Sequence, residues 1–363
     1  MNSKKIKKLI IYNSLLFASF LSLVEIVLGK WYLINTPVTR IPAAAFSRKI
    51  YRDVRKIYGL DNPYYISNKR DDKGYRTSQE YTEKDIVLTI GGSTTASIFV
   101  DDNNTWQNIL SKNLDDKFAV LNGGVSGQSS FGHLYAIDQW HSKALPINKV
   151  KFIIYYFGIN DRNLLEVVPT FEEYESDAYA NDRFWKIKSF LIKYSFFYSK
   201  LAELRNIYFQ NQLDSDVFYG YQNKTERFTD LAKTINLKKI DYKSNNQYID
   251  LIKKLDKKTK ALFPNASIYW VQEPLPGCNF LSPKIIQNYY SSDFDICEKV
   301  AKIYLLQDYA LDKIRINSNI IKMYLDNPLT KNATYDIMHA NETGNRTIAN
   351  YLYENIFSKK YEY

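Results

Sequence analysis

The distribution of apolar positions divides the chain into three regimes. From Leu9 to Leu28 the residues are apolar with few interruptions, namely Asn13, three serines and Glu25. At ~1.5 Å per residue a helix of this length covers the ~30 Å hydrocarbon core of a bilayer. A mostly polar stretch follows, ending near Lys84. Beyond it, short apolar runs recur at Ile86 to Ile90, Phe118 to Leu121, Phe152 to Phe157, Ile268 to Val271 and Ile320 to Leu325. None alternates polar with apolar, as a strand with one wet face would, so they read as parallel strands covered on both sides. Helical periodicity separates them over Trp106 to Leu114, Leu134 to Ala144, Ile249 to Leu262 and Val300 to Ile314, and closes the chain over Gly344 to Phe357. The alternation predicts a flavodoxin-like three-layer α/β/α sandwich with a parallel sheet of about five strands.

The organisation expected from this pattern is a tip and transmembrane anchor over 1–30, a connection over 31–84 and an α/β domain over 85–358. Two stretches are too long for simple crossovers. One, about 163–248, is crowded with Phe184, Trp185, Phe190, Phe196, Phe197 and Tyr198 and reads as a helical insertion. Its Lys-flanked apolar piece, Lys186 to Arg205, suits either core packing or a membrane interface. The other, Pro274 to Cys297, leaves the fourth strand with both cysteines of the chain.

Charge orients the anchor. Lys4, Lys5, Lys7 and Lys8 precede it, so the positive-inside rule keeps the N-terminus cytoplasmic and sends the body to the periplasmic or extracytoplasmic side. A cleaved signal peptide is the alternative. Its apolar region would span ~7–15 residues before a small-residue site, whereas Gly29-Lys30-Trp31-Tyr32 follow here and Ala43-Ala44-Ala45 lie far downstream. Glu25 is costly at mid-bilayer but stands near the outer end, where its carboxylate can reach the interface. In an oxidising compartment Cys278 and Cys297 are expected to form a disulfide.

Composition narrows the function classes. With 363 residues, 45% hydrophobic and 24% charged, the chain can bury a core and is not disordered. One apolar span excludes a polytopic transporter, and two cysteines exclude a disulfide scaffold or a Cys-rich metal module. No cofactor is expected. The net charge of +10 is spread through pairs such as Lys238-Lys239 and Lys253-Lys254, a solvated face suited at most to an anionic glycan or lipid. Nucleic acid is not an expected partner. Sequons at Asn103, Asn223, Asn332 and Asn341 read as chance in an Asn-rich chain.

In open α/β sheets ligands bind outside the carboxyl ends of the strands. The residues just past each apolar run are therefore the candidates: Gly91-Gly92-Ser93-Thr94-Thr95, Asn122-Gly123-Gly124-Val125-Ser126-Gly127, Gly158-Ile159-Asn160-Asp161 and Asp336-Ile337-Met338-His339. A serine hydroxyl needs a base to take its proton and a carboxylate to orient that base. Of three histidines, His133 and His141 fall within a helical pattern and read as ordinary packed residues, leaving His339. Ser93, His339 and Asp336 fill the three roles, and the backbone N–H groups of Ser93 and Gly127 with the Asn160 amide can meet a developing oxyanion. The first string is no P-loop, having no following lysine.

These four blocks, in this order, resemble the SGNH hydrolases, the GDSL-like esterase and lipase superfamily, over about Lys84 to Phe357. Gly92-Ser93, Asn122 to Gly127, Gly158-x-Asn160-Asp161, and Asp336-x-x-His339 followed by Asn341 and Gly344 carry the resemblance. It implies Ser93 as nucleophile, His339 as base, Asp336 as its partner, and Gly127 and Asn160 as oxyanion donors. Gly92 departs from the usual Gly-Asp-Ser, standing where the aspartate would. The expected function is a membrane-anchored serine esterase of the cell envelope, cleaving an O-acetyl group on a glycan or a lipid acyl ester. The alternatives are a polysaccharide O-acyltransferase using the same acyl-enzyme and a catalytically inactive glycan-binding protein, against which the retention of every catalytic group counts.

Overall fold

The structure, a computed structural model, describes residues 3–29, 31, 48–165 (56 and 78 apart), 168–170, 246–276, 294–314 and 319–358 (327, 330 and 337 apart). It also describes part of 184–204 and, as backbone alone, 233–236 and 278–281. The first element is α1 (Ser3–Leu28), which is long and apolar enough to cross a membrane, with none of its apolar window buried. Glu25 near its C-terminal end has protein partners. Its carboxylate accepts hydrogen bonds from the backbone N–H groups of Phe196 (3.0 Å) and Phe197 (3.1 Å), at the start of a helical stretch over 196–202. Trp31 donates from Nε1 to the Glu25 carbonyl and packs on Phe190 and Tyr194, fixing the helix end to the residues just ahead of that stretch.

The polar segment before Lys84 carries an antiparallel pair that its sequence does not announce, β1 (Arg48–Asp53) and β2 (Tyr65–Arg70). Its small core joins Val54, Ile57 and Ile66 to Phe99 from beyond the next strand.

The main sheet is built from β3 (Asp85–Gly91), β4 (Phe118–Asn122), β5 (Val150–Phe157), β7 (Ser267–Gln272) and β9 (Ile320–Ile321), with order β4-β3-β5-β7-β9 and all neighbours parallel. A separate parallel pair joins β6 (Lys233–Asn236), inside the expected helical insertion, to β8 (Cys278–Leu281). The continuous apolar runs are explained by what lies on each side. Ile86, Leu88, Ile90, Ile153 and Tyr155 face one core, while Val87, Phe152, Ile154 and Tyr156 face the other. Alternate residues of one strand thus serve two apolar layers, so no polar position is left for a wet face.

Helices close both layers. Among those described are the short α2 (Ser93–Ala96), α3 (Trp106–Asn113), α4 (Ser130–Ala136), α5 (Asn246–Leu262), α6 (Phe294–Lys313), α7 (Met323–Asp326) and α8 (Glu342–Leu352). The first layer holds α4, α5 and α6, and the second holds α3 and α8. The periodic run Leu134 to Ala144 starts earlier, at Ser130, and passes through a π-helical turn over Ile137–His141.

The fifth strand is shorter than Ile320 to Leu325. Its edge position gives it only Trp270 and Val271 as partners, after which α7 puts Met323 into one core and Tyr324 into the other. The Pro274 to Cys297 segment is not all loop, since Cys278 opens β8 and Cys297 lies in α6. Their side chains, and hence the expected disulfide, lie outside the described ones, as does most of 163–248.

Candidate active site

The site is assembled at the carboxyl edge of the sheet, beginning with the turn after β3. Ser93 opens α2 immediately beyond the strand and is half-buried, whereas Thr94, Thr95 and Ala96 are buried beneath it. The four-residue helix ends at Ser97, which takes a left-handed conformation at φ 48°. A non-glycine residue there needs outside support. Arg76, from the segment before the sheet, supplies it. Its fully buried guanidinium donates to the carbonyls of Ala96 (2.9 Å), Ser97 (2.6 Å), Val100 (2.5 Å) and Ser67 (3.2 Å) and pairs with Asp102 at 2.7 Å. Burial lowers its pKa and Asp102 opposes that shift. The polar atoms at this helix end are thus satisfied by one side chain.

The turn after β4 is tied to the same helix. Asn122 donates from Nδ2 to the Thr95 carbonyl (2.8 Å), and its Oδ1 accepts from Gly124 N (2.9 Å). Gly127, three residues further on, is exposed and has φ +76°, a backbone state that glycine adopts without strain.

Beyond β5 two turns of 3-10 helix, Ile159–Leu164, carry Asn160. Its Nδ2 donates to the carbonyl of Gln128 at 3.1 Å, leaving the second amide hydrogen free of that bond. The same amide explains Gly92: a Cβ at that position would stand 2.3 Å from Asn160 Nδ2, so no side chain fits while Asn160 is placed as it is. Gly92 therefore brings the turn holding Ser93 against the one holding Asn160. The neighbouring Asp161 is wholly buried and points the other way, accepting from Ser130 N (2.6 Å), Ser130 Oγ (2.5 Å), Tyr248 Oη (2.5 Å) and Gln307 Nε2 (3.1 Å). Burial raises its pKa and those hydrogen bonds restrain the rise.

The last piece is the loop ahead of α8. Tyr335 N donates to the His339 carbonyl (3.1 Å) and Asn341 N to that of Ala333 (3.0 Å), closing residues 333–341 into a tight hairpin-like loop. Asp336 sits inside it, nearly buried. Its Oδ1 accepts from the backbone N–H groups of Met338 (2.9 Å) and His339 (2.6 Å), while Oδ2 meets His339 Nδ1 at 2.5 Å. His339 Nε2 lies 2.8 Å from Ser93 Oγ. Tyr335 lies parallel to the imidazole, with centroids 5.6 Å apart and planes 2° apart, and is itself braced edge-on by Phe99. Asn341 caps α8 by accepting from Gly344 N (3.1 Å). One turn later Asn345 Oδ1 accepts from Ser97 Oγ (3.1 Å) and Trp106 N (2.9 Å), which joins the base-bearing loop to the serine-bearing one.

Ser93, His339 and Asp336 are thus joined in one hydrogen-bonded chain, and Asn160 lies beside the residue preceding Ser93. Gly127 is placed through its neighbour Gln128, whose carbonyl takes the Asn160 amide. His133 and His141 lie outside this group, buried in the core. Burial pushes both pKa values down to about 3, so both are neutral. His141 Nδ1 has Tyr75 Oη at 2.9 Å. Sequence reading missed Arg76, Tyr335, Asn345 and Glu273. The last of these, beyond β7, accepts from the Thr94 hydroxyl. Among the described residues no group of three or more His, Cys, Asp or Glu side chains is placed to hold a metal ion.

No family model matches the sequence, and no curated protein matches it. Solved structures are similar to it. One is a putative lipolytic protein of the G-D-S-L family from Desulfitobacterium hafniense, at 11% identity and TM-score 0.39, covering 75% of this chain and 100% of that one. Another is the psychrotrophic esterase EstA from Pseudoalteromonas sp., at 12% identity and TM-score 0.38, covering 75% of this chain and 97% of that one. A third is the acetyl xylan esterase AlAXEase, at 14% identity and TM-score 0.36, covering 75% and 99%. At such identities the chemistry has to be read from this chain's own residues.

Proposed function

We propose that the chain is a serine ester hydrolase working through a Ser93 acyl-enzyme. The observation that carries this reading is the relay from Ser93 Oγ to His339 Nε2 at 2.8 Å and from His339 Nδ1 to Asp336 Oδ2 at 2.5 Å. An Asp336 carboxylate already holding two backbone N–H groups fixes the imidazole with its proton on Nδ1, leaving Nε2 as the acceptor facing the hydroxyl. The Ser93 oxygen attacks the acyl carbonyl as its proton passes to Nε2. The tetrahedral oxyanion is met by the N–H groups of Ser93 and Gly127 and by the Asn160 amide. The imidazolium, stabilised by Asp336, then protonates the departing alcohol, and a water activated by the same nitrogen releases the acid.

The exposed apolar helix α1 supports a single-pass anchor, and the lysines ahead of it support a cytoplasmic tip with the site on the far side of the membrane. The substrates suited to that placement are envelope esters, either an O-acetyl group on a glycan or a lipid acyl chain. If a sugar hydroxyl replaces water in the second half-reaction, the same acyl-enzyme transfers its acyl group instead. The test is the full chain in detergent, given p-nitrophenyl esters of short and long acids and an acetylated glycan, with and without a second glycan as acceptor. Ester cleavage that disappears in Ser93→Ala is expected. Acyl transfer in excess of acid release would make the chain a transferase, and turnover that survives Ser93→Ala would end the proposal.

A further inference from the structure

Among the described residues, the carboxylate of Glu273 is the one buried acidic group that touches both turns of the proposed site, and the relay does not use it. Glu273 is the first residue beyond β7, is 4% exposed, and is held by its own backbone: its N–H donates to the Phe157 carbonyl (3.0 Å) and its carbonyl accepts from Tyr304 Oη (2.6 Å). Its side chain reaches sideways under the sheet edge. Oε2 accepts from the hydroxyl of Thr94 at 2.5 Å, and Oε1 accepts from the backbone N–H of Ile159 at 2.8 Å. Thr94 follows Ser93 directly, and Ile159 directly precedes Asn160.

We propose that Glu273 is a positioning residue that sets the spacing between the proposed nucleophile Ser93 and the proposed oxyanion donor Asn160. The inference rests on the serine-hydrolase reading above. Three contacts make the arrangement a clamp. Below, the two carboxylate oxygens fasten one residue of each turn. Above, the Asn160 amide crosses Gly92 so closely that a Cβ there would be 2.3 Å away. At the side, Gly158 leaves the room the carboxylate needs, because a Cβ there would lie 2.9 Å from Glu273 Cγ and 2.7 Å from Tyr304 Cε1. Burying a carboxylate is costly unless it is hydrogen-bonded. Burial accordingly raises its pKa, while the Thr94 and Ile159 hydrogen bonds and the nearby His339 work against the rise. An apolar residue would fill the same volume without fastening either turn.

Misplacement of a reacting group by about 1 Å costs on the order of 10²-fold in rate. Glu273→Ala in the full chain is therefore expected to lower kcat by about 10- to 100-fold with KM changed by less than about threefold. Glu273→Gln keeps an acceptor for Ile159 and offers an amide to the Thr94 oxygen, so it is expected to restore most of the rate. A residue that served only stability would instead lower the melting temperature and leave kcat per folded molecule unchanged, and that result, or a Gln variant no better than Ala, would overturn the proposal. If Glu273→Ala does not fold, Thr94→Val, which removes the donor to Oε2 alone, and Glu273→Leu, which removes both acceptors, decide, each alone and together. Effects on kcat that fail to add are expected from one clamp, and additive effects would count against it. Ser93→Ala is run alongside: activity persisting there refutes the serine-hydrolase reading itself, whereas activity lost there but normal in Glu273→Ala refutes only the clamp.

Discussion

The interior of the main sheet and its carboxyl edge lie a few residues apart on the same strands, yet they are held together by opposite means. In the interior, residues such as Leu88, Ile153 and Ile154 are apolar, fully buried and arranged by simple alternation between two layers. At the edge, buried polar side chains carry the load: Arg76 holds the end of α2, Asn122 holds Thr95, Glu273 holds Thr94 and Ile159, and Asn345 holds Ser97. Apolar packing is non-directional and tolerates exchange of similar volumes. A buried hydrogen bond tolerates little, because losing one partner strands the other. The same few strands thus combine a forgiving scaffold with an exacting rim, and the proposed reacting groups stand on the rim.

The contrast can be broken at four places, from the largest effect to the smallest. Arg76→Ala removes donors from four carbonyls and takes the ion-pair partner from Asp102, which keeps Ser67 Oγ and Lys69 N, so a loss of about 3–5 kcal/mol of stability is expected in denaturant titration. A loss below about 1 kcal/mol, the range of an ordinary surface change, would show that the rim is not held in this way. Asn160→Ala is expected to lower kcat by about 10²–10³, equivalent to about 2.7–4 kcal/mol, with little change in KM. A clear fall in melting temperature with near-normal kcat would make Asn160 a structural bond to Gln128 and nothing more.

The third concerns a polar intrusion into the interior. His133 is buried, neither ring nitrogen has a hydrogen-bond partner among the described residues, and burial holds its pKa down to about 3. Above the ordinary value of 6.5 the imidazole is neutral in both folded and unfolded chains and pH has no effect through it. As pH falls below 6.5 the unfolded chain takes up a proton that the folded one refuses, so stability is lost until about pH 3, by about 1.4 kcal/mol per pH unit. His133→Leu is expected to stabilise by about 2 kcal/mol more at pH 5 than at pH 8. An equal change at both pH values would refute the assignment. The smallest effect belongs to the scaffold: Ile154→Val is expected to cost about 0.5–1.5 kcal/mol of stability and leave kcat unchanged.

The sequence displays these two kinds of support very unequally. Unbroken apolar runs announce β3, β4, β5 and β7, because burial on both faces leaves a local signature in each strand. Ser93, Asn160, Asp336 and His339 are legible for a related reason: each follows an apolar run or a short motif, and the chemistry narrows the choice to few residue types. Arg76, Glu273 and Asn345 leave no such trace. The Thr94 hydroxyl and Glu273 are 179 residues apart, Trp106 and Asn345 239 apart, and nothing local says that they meet. The pair β1 and β2 is missed because β2, Tyr-Ile-Ser-Asn-Lys-Arg, is half-wet and polar, and the sequence of β1, Arg-Lys-Ile-Tyr-Arg-Asp, is mostly charged. The fifth strand is overextended because an apolar run at a sheet edge can leave the ladder and enter two cores as a helical turn.

The central claim is that Ser93 becomes acylated. Intact-protein and peptide mass spectrometry of the full chain, quenched during turnover of a slow p-nitrophenyl ester, tests it most directly. The expected result is one acyl group on the peptide carrying Ser93, absent in Ser93→Ala and greatly reduced in His339→Ala. Ester cleavage with no acylated Ser93, or with the label on another residue, would contradict it.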